Sequence, residues 1–188
     1  VEDTIKIFLA DDKLNISTKY LRPGFAFGGS CLPKDVRGLN WFAGLHGVSL
    51  PIVASIMDSN EEQIDQGVAA VLQTGARKVA FLGIAFKEHV DDLREAPALY
   101  VAQKLRAHGV EVVAHDPCFK AGDTVVLPRS GGQLDMVDLE TVQQYDVLVQ
   151  FHKISTYQEV IAKGKHTVVN LTEVVQNTQE ETAKRNVA

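Results

Sequence analysis

A cysteine at position 31 stands between two glycines and a proline, in the run Gly28-Gly29-Ser30-Cys31-Leu32-Pro33-Lys34-Asp35. Glycine allows a positive φ and lets the backbone approach a ligand closely. Pro33 is tolerated in the first turn of a helix, so Cys31 is expected just before a helix N-terminus. The partial positive charge there favours a thiolate, and Lys34 adds to it. Asp35, in the same first turn, is placed to orient or deprotonate a water near the sulfur. The chemistry within reach is nucleophilic: a covalent bond from sulfur to an electrophilic carbon. The same spacing also fits a plain Gly-rich turn with Cys31 as a small buried hydrophobe. A thiol hydrolase would need a histidine base beside the sulfur, and His46 lies too far along the same helix to serve.

A second group of charged residues follows an apolar run, in Gly83-Ile84-Ala85-Phe86-Lys87-Glu88-His89-Val90-Asp91-Asp92-Leu93-Arg94-Glu95-Ala96-Pro97. Ligands in open parallel sheets bind at the carboxyl ends of strands, next to a helix start. Lys87 and Arg94 are cations in that position. The alternative is an exposed loop of mixed charge in which Asp91 and Asp92 act as local caps.

These residues need elements to hold them. Ile5, Phe8 and Leu9 share one helical face. A helix is expected from near Pro33, with Val36, Leu39, Phe42 and Ala43 at helical spacing and Gly47 near its end. Another runs from near Pro51 to about Leu72, with Ile52, Ile56, Ile64, Val68 and Val71 or Leu72 as candidates for its buried side. Gly75 marks a change of pattern, dividing a helical part (1–75) from an alternating part (76–188). Strands are expected over Lys78–Ile84, Glu111–His115, Thr124–Leu127, Asp146–Phe151 and His166–Leu171. Helices are expected over Pro97–His108, Asp138–Gln144 and Tyr157–Lys163. Strand–helix alternation implies an α/β fold with a parallel sheet. The tail from Gln176 reads as a frayed helix or disorder.

The bulk numbers narrow the function classes. Among 188 residues the formal net charge is −5, which argues against a nucleic-acid partner. Two cysteines in unlike contexts fit a reducing compartment rather than a disulfide. No apolar run is long enough for a membrane span and no signal pattern opens the chain, so the cytoplasm is the expected setting. The six histidines are scattered without the paired spacing of metal ligands, and no metal is expected. Cys118, after Asp116-Pro117, reads as incidental. Trp41 and Phe42 read as core or interface. No Gly-x-Gly-x-x-Gly fingerprint follows a strand.

The stretch from Lys13-Leu14-Asn15-Ile16-Ser17 through Tyr20-Leu21-Arg22-Pro23-Gly24-Phe25-Ala26-Phe27 to Cys31 and Arg37 resembles the UDP-glucose/GDP-mannose dehydrogenase family. Leu32 makes it closer to the GDP-mannose branch, since the UDP-glucose branch more often carries an aromatic there. The second group resembles the family's Phe-Lys…Asp…Arg-Glu…Pro signature. The likeness covers roughly residues 1–120 well and the rest as a fold. It implies oxidation of the C6 alcohol of a nucleotide sugar, GDP-mannose or a UDP-sugar, to a carboxylate with NAD. In the implied roles Cys31 holds the aldehyde as a thiohemiacetal and then a thioester, and Asp35 assists hydrolysis. Asn15, Tyr20, Arg22, Phe25, Gly28 and Lys87 contact the nucleotide sugar, with Arg22 suited to the diphosphate. Lys34 and Arg94 contact NAD. The implied architecture is a helical central, dimerising segment followed by a Rossmann-like C-terminal domain, in a homodimer. The missing glycine fingerprint and the opening at Val1 point to an absent N-terminal NAD-binding domain and an inactive fragment. The alternative is a stand-alone nucleotide-sugar-binding or dimerisation module. Four departures from the family wording, Lys19, His89, Val90 and Ala96, bear on which sugar nucleotide is taken. Ala96 also removes a side-chain helix cap.

Overall fold

The computed structural model describes residues 2–11, 24–129 and 132–173. Three helices come first: α1 (Glu2–Leu9), α2 (Leu32–Leu45) and α3 (Pro51–Gln73). Pro33 and Pro51 sit in first turns, where a missing N–H loses no partner. α2 and α3 are followed by Gly47 and Gly75 at φ +67° and +72°, left-handed positions that suit glycine at a helix exit.

The alternating part then unfolds as β1 (Lys78–Leu82), α4 (Pro97–Ala107), β2 (Glu111–His115), β3 (Thr124–Val126), β4 (Gln133–Met136), α5 (Leu139–Val142), β5 (Val147–Gln150), α6 (Ser155–Lys163) and β6 (Thr167–Asn170). The strands form one sheet in the order β3-β4-β2-β1-β5-β6. Every pairing is parallel except β3 with β4. The fold is therefore the expected α/β arrangement with a mostly parallel sheet.

Burial follows the two-residue period of the strands. Val79, Phe81, Val112, Ala114, Val147 and Val149 face one side, where Ile64, Val68 and Val71 of α3 and Leu99, Ala102 and Leu105 of α4 cover them. Ala80, Leu82, Val113 and Leu148 face the other side, against Val142 of α5 and Tyr157 and Val160 of α6. After the exposed Lys78, β1 is apolar from Val79 to Leu82, as a strand covered on both faces should be. Each fully buried Val, Leu or Phe contributes roughly 1.5–3 kcal/mol. The C-terminal half of α3 therefore belongs energetically to the sheet, which fixes the loop before α2 relative to the strand ends.

Three expectations are corrected. β1 ends at Leu82 rather than Ile84, because Gly83 turns the chain at φ +89°. β4 lies outside the expected strands; it carries only Leu134 and Met136 inward, so its apolar signal is faint. Leu39 and Phe42 keep helical spacing but are 50% and 57% exposed, and Ile52 at the start of α3 is 83% exposed. In α2 only Pro33 and Ala43 are buried. Periodicity says which residues share a face, not what covers that face.

Candidate active site

Cys31 is the N-cap residue of α2, at φ −100° and ψ −65°, and is exposed. Its carbonyl accepts the Asp35 N–H at 2.8 Å, closing the first turn. Ser30 Oγ lies 3.7 Å from Cys31 Sγ. Lys34 Nζ pairs with Asp35 Oδ1 at 3.1 Å. That contact, helped by the nearby Cys31 sulfur, raises the Lys34 pKa and holds its ammonium charged. The sulfur therefore stands open to solvent at the mouth of a helix, with a cation and a carboxylate in the adjoining turn.

The loop before it is pinned at several points. The Asn60 side-chain amide brackets Phe27, accepting its N–H at 2.8 Å and donating to its carbonyl at 3.0 Å. Phe25 lies edge-on to Phe151, with ring centroids 6.0 Å apart, and packs on Gly67, where a Cβ would come within 2.9 Å of its ring. Gly28 and Gly29 touch the loop between β1 and α4. A Cβ on Gly28 would run into the Glu95 carbonyl oxygen and lie 2.9 Å from Pro97 Cδ. One on Gly29, at φ +88°, would lie 2.8 Å from the Phe86 ring. The Gly29 N–H donates to the Arg94 carbonyl at 2.9 Å. The close approach that the two glycines make here is to protein, the Glu95 carbonyl for Gly28 and the Phe86 ring for Gly29. Gly28 and Phe25 take part in docking the loop.

Arg94 grips Asp92 through two parallel bonds, Nε to Oδ1 at 2.9 Å and a terminal nitrogen to Oδ2 at 2.6 Å. Asp92 also accepts the Arg94 N–H at 3.0 Å. These hydrogen bonds lower the Asp92 pKa to about 2 and raise that of Arg94, to which the nearby Cys31 sulfur adds a smaller push. Arg94 is therefore within electrostatic reach of Cys31. Lys87 is exposed and makes no ion pair among the described residues. The α4 N-cap is Ala96 with no side-chain cap bond, as its sequence implies.

Phe25, Gly28 and Cys31 thus lie on a loop that touches the loop bearing Lys87 and Arg94, with Lys34 and Asp35 in the first turn of α2 just after Cys31. Asn15, Tyr20 and Arg22, with Lys19, fall outside the described residues.

Beneath the Cys31 loop is a cavity of about 210 Å³. It lies past the carboxyl ends of β1, β5 and β6, beside the neighbouring strands β1 and β5, whose chains leave toward opposite edges of the sheet, the switch point at which open α/β sheets take ligands. Its walls include Phe86 after β1, Phe151 and His152 after β5, Thr172 after β6 and Ala98 in the first turn of α4. Phe151 and His152 were not singled out from the sequence, although residues directly after an apolar strand carry that signal.

Asp116 directly follows β2. It is 2% exposed, and its Oδ2 accepts the N–H groups of Ile84 and Ala85 at 2.9 and 3.3 Å, its Oδ1 that of Cys118 at 3.0 Å. The Gly83 N–H goes to the His115 carbonyl at 2.9 Å. The turn after β1 has therefore committed the N–H groups that a dinucleotide-binding turn offers to a pyrophosphate. The N–H groups of this turn are therefore not free to hold the pyrophosphate of a dinucleotide.

Comparison with known proteins agrees with this geometry. Residues 1–62 match the model of the UDP-glucose/GDP-mannose dehydrogenase family, central domain, and residues 80–179 that of its UDP binding domain. GDP-mannose 6-dehydrogenase of Azotobacter vinelandii is 43% identical over 114 residues, covering 61% of this chain and 26% of the relative. UDP-glucose 6-dehydrogenase of Pseudomonas aeruginosa is 37% identical over 135 residues, covering 69% of this chain and 29% of the relative. The crystal structure of a ternary complex of GDP-mannose dehydrogenase from P. aeruginosa superposes with a TM-score of 0.73 at 33% identity, over 94% of this chain and 43% of that one. The chain spans about a quarter of the length of the curated relatives it matches. It belongs to the UDP-glucose/GDP-mannose dehydrogenase family.

Proposed function

We propose that the protein carrying this chain oxidises the C6 alcohol of a nucleotide sugar to the acid, with Cys31 as the thiol that captures the C6 aldehyde. GDP-mannose is the preferred substrate, a UDP-sugar the second choice. The observation that carries the reading is the docking of the two signature loops, with an exposed sulfur at the mouth of α2 and Lys34 and Arg94 close by. The preference for GDP-mannose rests on the 43% identity to its dehydrogenase against 37% to the UDP-glucose enzyme.

The first oxidation removes a hydride from C6 and a proton from its hydroxyl, leaving the aldehyde. The Cys31 thiolate adds to that carbon, and the oxygen takes up a proton to give a thiohemiacetal. Loss of a second hydride and the hydroxyl proton leaves a thioester on Sγ. Asp35 orients a water that attacks the thioester carbon, releasing the acid and the thiolate. NAD would supply the hydride acceptor for both oxidations, and Lys34 and Arg94 would hold it. Lys87, exposed on the loop after β1, meets the nucleotide sugar. Phe25 and Gly28, with Asn15, Tyr20 and Arg22, contact the nucleotide sugar in the same reading.

The 188 residues alone are not expected to turn over, since the chain has no glycine fingerprint and the turn after β1 has its N–H groups committed. Leu39, Trp41, Phe42 and Leu45 of α2 are exposed, and a second copy of the chain is the proposed partner for them. The test is NADH formation from GDP-mannose by a protein that joins this chain to a dinucleotide-binding domain. Turnover that Cys31→Ala abolishes is expected. Turnover that survives Cys31→Ala, or robust turnover by the 188 residues alone, overturns the reading.

A further inference from the structure

Arg94 and Glu95 touch the Cys31 loop and its helix at three points. The Arg94 carbonyl accepts the Gly29 N–H at 2.9 Å. The Glu95 carbonyl fills the space that a side chain on Gly28 would need. The Glu95 carboxylate pairs with the guanidinium of Arg37, in the second turn of α2. Glu95 itself sits at φ +49°, a left-handed conformation that residues with a Cβ adopt at a cost and glycine adopts freely. The turn around it closes through backbone alone, Ala96 N–H to the Leu93 carbonyl at 3.2 Å. Nothing in that turn calls for a carboxylate. The hydrogen-bonded contact the carboxylate makes is the one to Arg37.

We infer that Glu95 is a positioning residue: its carboxylate, held against backbone strain, ties α2 through Arg37 and so keeps Cys31, at the mouth of that helix, against the loop bearing Lys87 and Arg94. Its catalytic meaning rests on the function proposed above. The Arg37 and Glu95 side chains are 51% and 33% exposed, so the pair adds little to global stability. What it fixes is where α2 begins relative to Arg94.

Glu95→Gly separates backbone from side chain, because it relieves the strained φ while deleting the carboxylate. Glu95→Gln keeps the size and removes the charge, and Arg37→Glu/Glu95→Arg reverses the pair. Each is compared with wild type in the 188-residue chain by melting temperature and by the iodoacetamide alkylation rate of Cys31, with Cys118 as the internal reference. The expected result is a melting temperature for Glu95→Gly at or above wild type. Its Cys31 rate, like that of Glu95→Gln, should fall by about threefold, the scale of a surface pair coupling, with Cys118 unchanged. The reversed pair should recover most of the loss. Cys31 rates equal to wild type in both single variants, or a rate that falls only in step with the melting temperature, overturn the inference. The assay needs no nucleotide sugar, so a failed turnover test would remove the functional reading and leave this joint standing.

Discussion

Replacing Gly28 by alanine tests how tightly the two loops are docked. The added methyl would meet the Glu95 carbonyl oxygen and lie 2.9 Å from both its carbon and Pro97 Cδ. Backbone and a proline ring are on the far side, so no side-chain rotation relieves the clash. The loops can stay together and absorb overpacking, which costs about 1–3 kcal/mol. They can instead part, losing the Gly29–Arg94 hydrogen bond, about 0.5–1.5 kcal/mol, and the exposed Arg37–Glu95 pair, about 0.2–1 kcal/mol. The two routes are alternatives, so the loss is capped at the cheaper of them, about 0.7–2.5 kcal/mol. At about 2–4 °C per kcal/mol for a chain of this size, the melting temperature should drop by about 1–10 °C. Gly38→Ala, in the interior of α2 with nothing within 4 Å of the new methyl, should instead stabilise by about 0.5–1 kcal/mol. Calorimetry reads the melting temperatures, and hydrogen exchange at the Gly29 amide reads the docking locally. Gly28→Ala melting with wild type and keeping the Gly29 amide protected would refute the close-approach reasoning.

Three further outcomes are expected. Gly83→Ala combines a φ of +89° with a methyl 2.8 Å from His152 Cβ, and should cost about 2–5 kcal/mol in urea unfolding; a loss under about 1 kcal/mol contradicts the buried turn. Asp116→Ala leaves the Ile84, Ala85 and Cys118 N–H groups without their acceptor, costing about 2–5 kcal/mol, with hydrogen exchange at Ile84 and Ala85 rising; unchanged exchange contradicts the assignment. Asp92 has a folded pKa of about 2, below its ordinary 3.8. Its contribution is therefore present above about pH 4 and lost as pH falls through about 2. A carboxyl NMR titration of Asp92 should show that low midpoint, and Arg94→Ala should return it toward 3.8; a midpoint already near 3.8 in wild type contradicts the paired geometry.

Much of the scaffold could be read before any coordinates, because its signals are local. Pro33, Pro51 and Pro97 start helices for a backbone reason that needs no tertiary context. The run from Val79 to Leu82 is apolar throughout because the strand is covered on both faces. The position of Cys31 at a helix mouth followed from Pro33 alone. What stayed hidden depends on neighbours distant in sequence. Asp116 looks like any strand-ending Asp-Pro until its carboxylate is seen under Ile84 and Ala85. Asn60 looks like a surface residue of a long helix until it brackets Phe27. The face of α2 bearing Leu39 and Phe42 has core spacing, yet it is exposed.

The most direct measurement of the nucleophile assignment is ligand protection of the two cysteines, both exposed in the same chain. The chain is treated with iodoacetamide with and without GDP-mannose, and the Cys31 and Cys118 peptides are quantified by mass spectrometry. A nucleotide sugar seated over the Cys31 loop should slow alkylation of Cys31 several-fold and leave Cys118 unchanged. Equal slowing of both cysteines, or of neither at saturating GDP-mannose, would contradict a substrate site at Cys31.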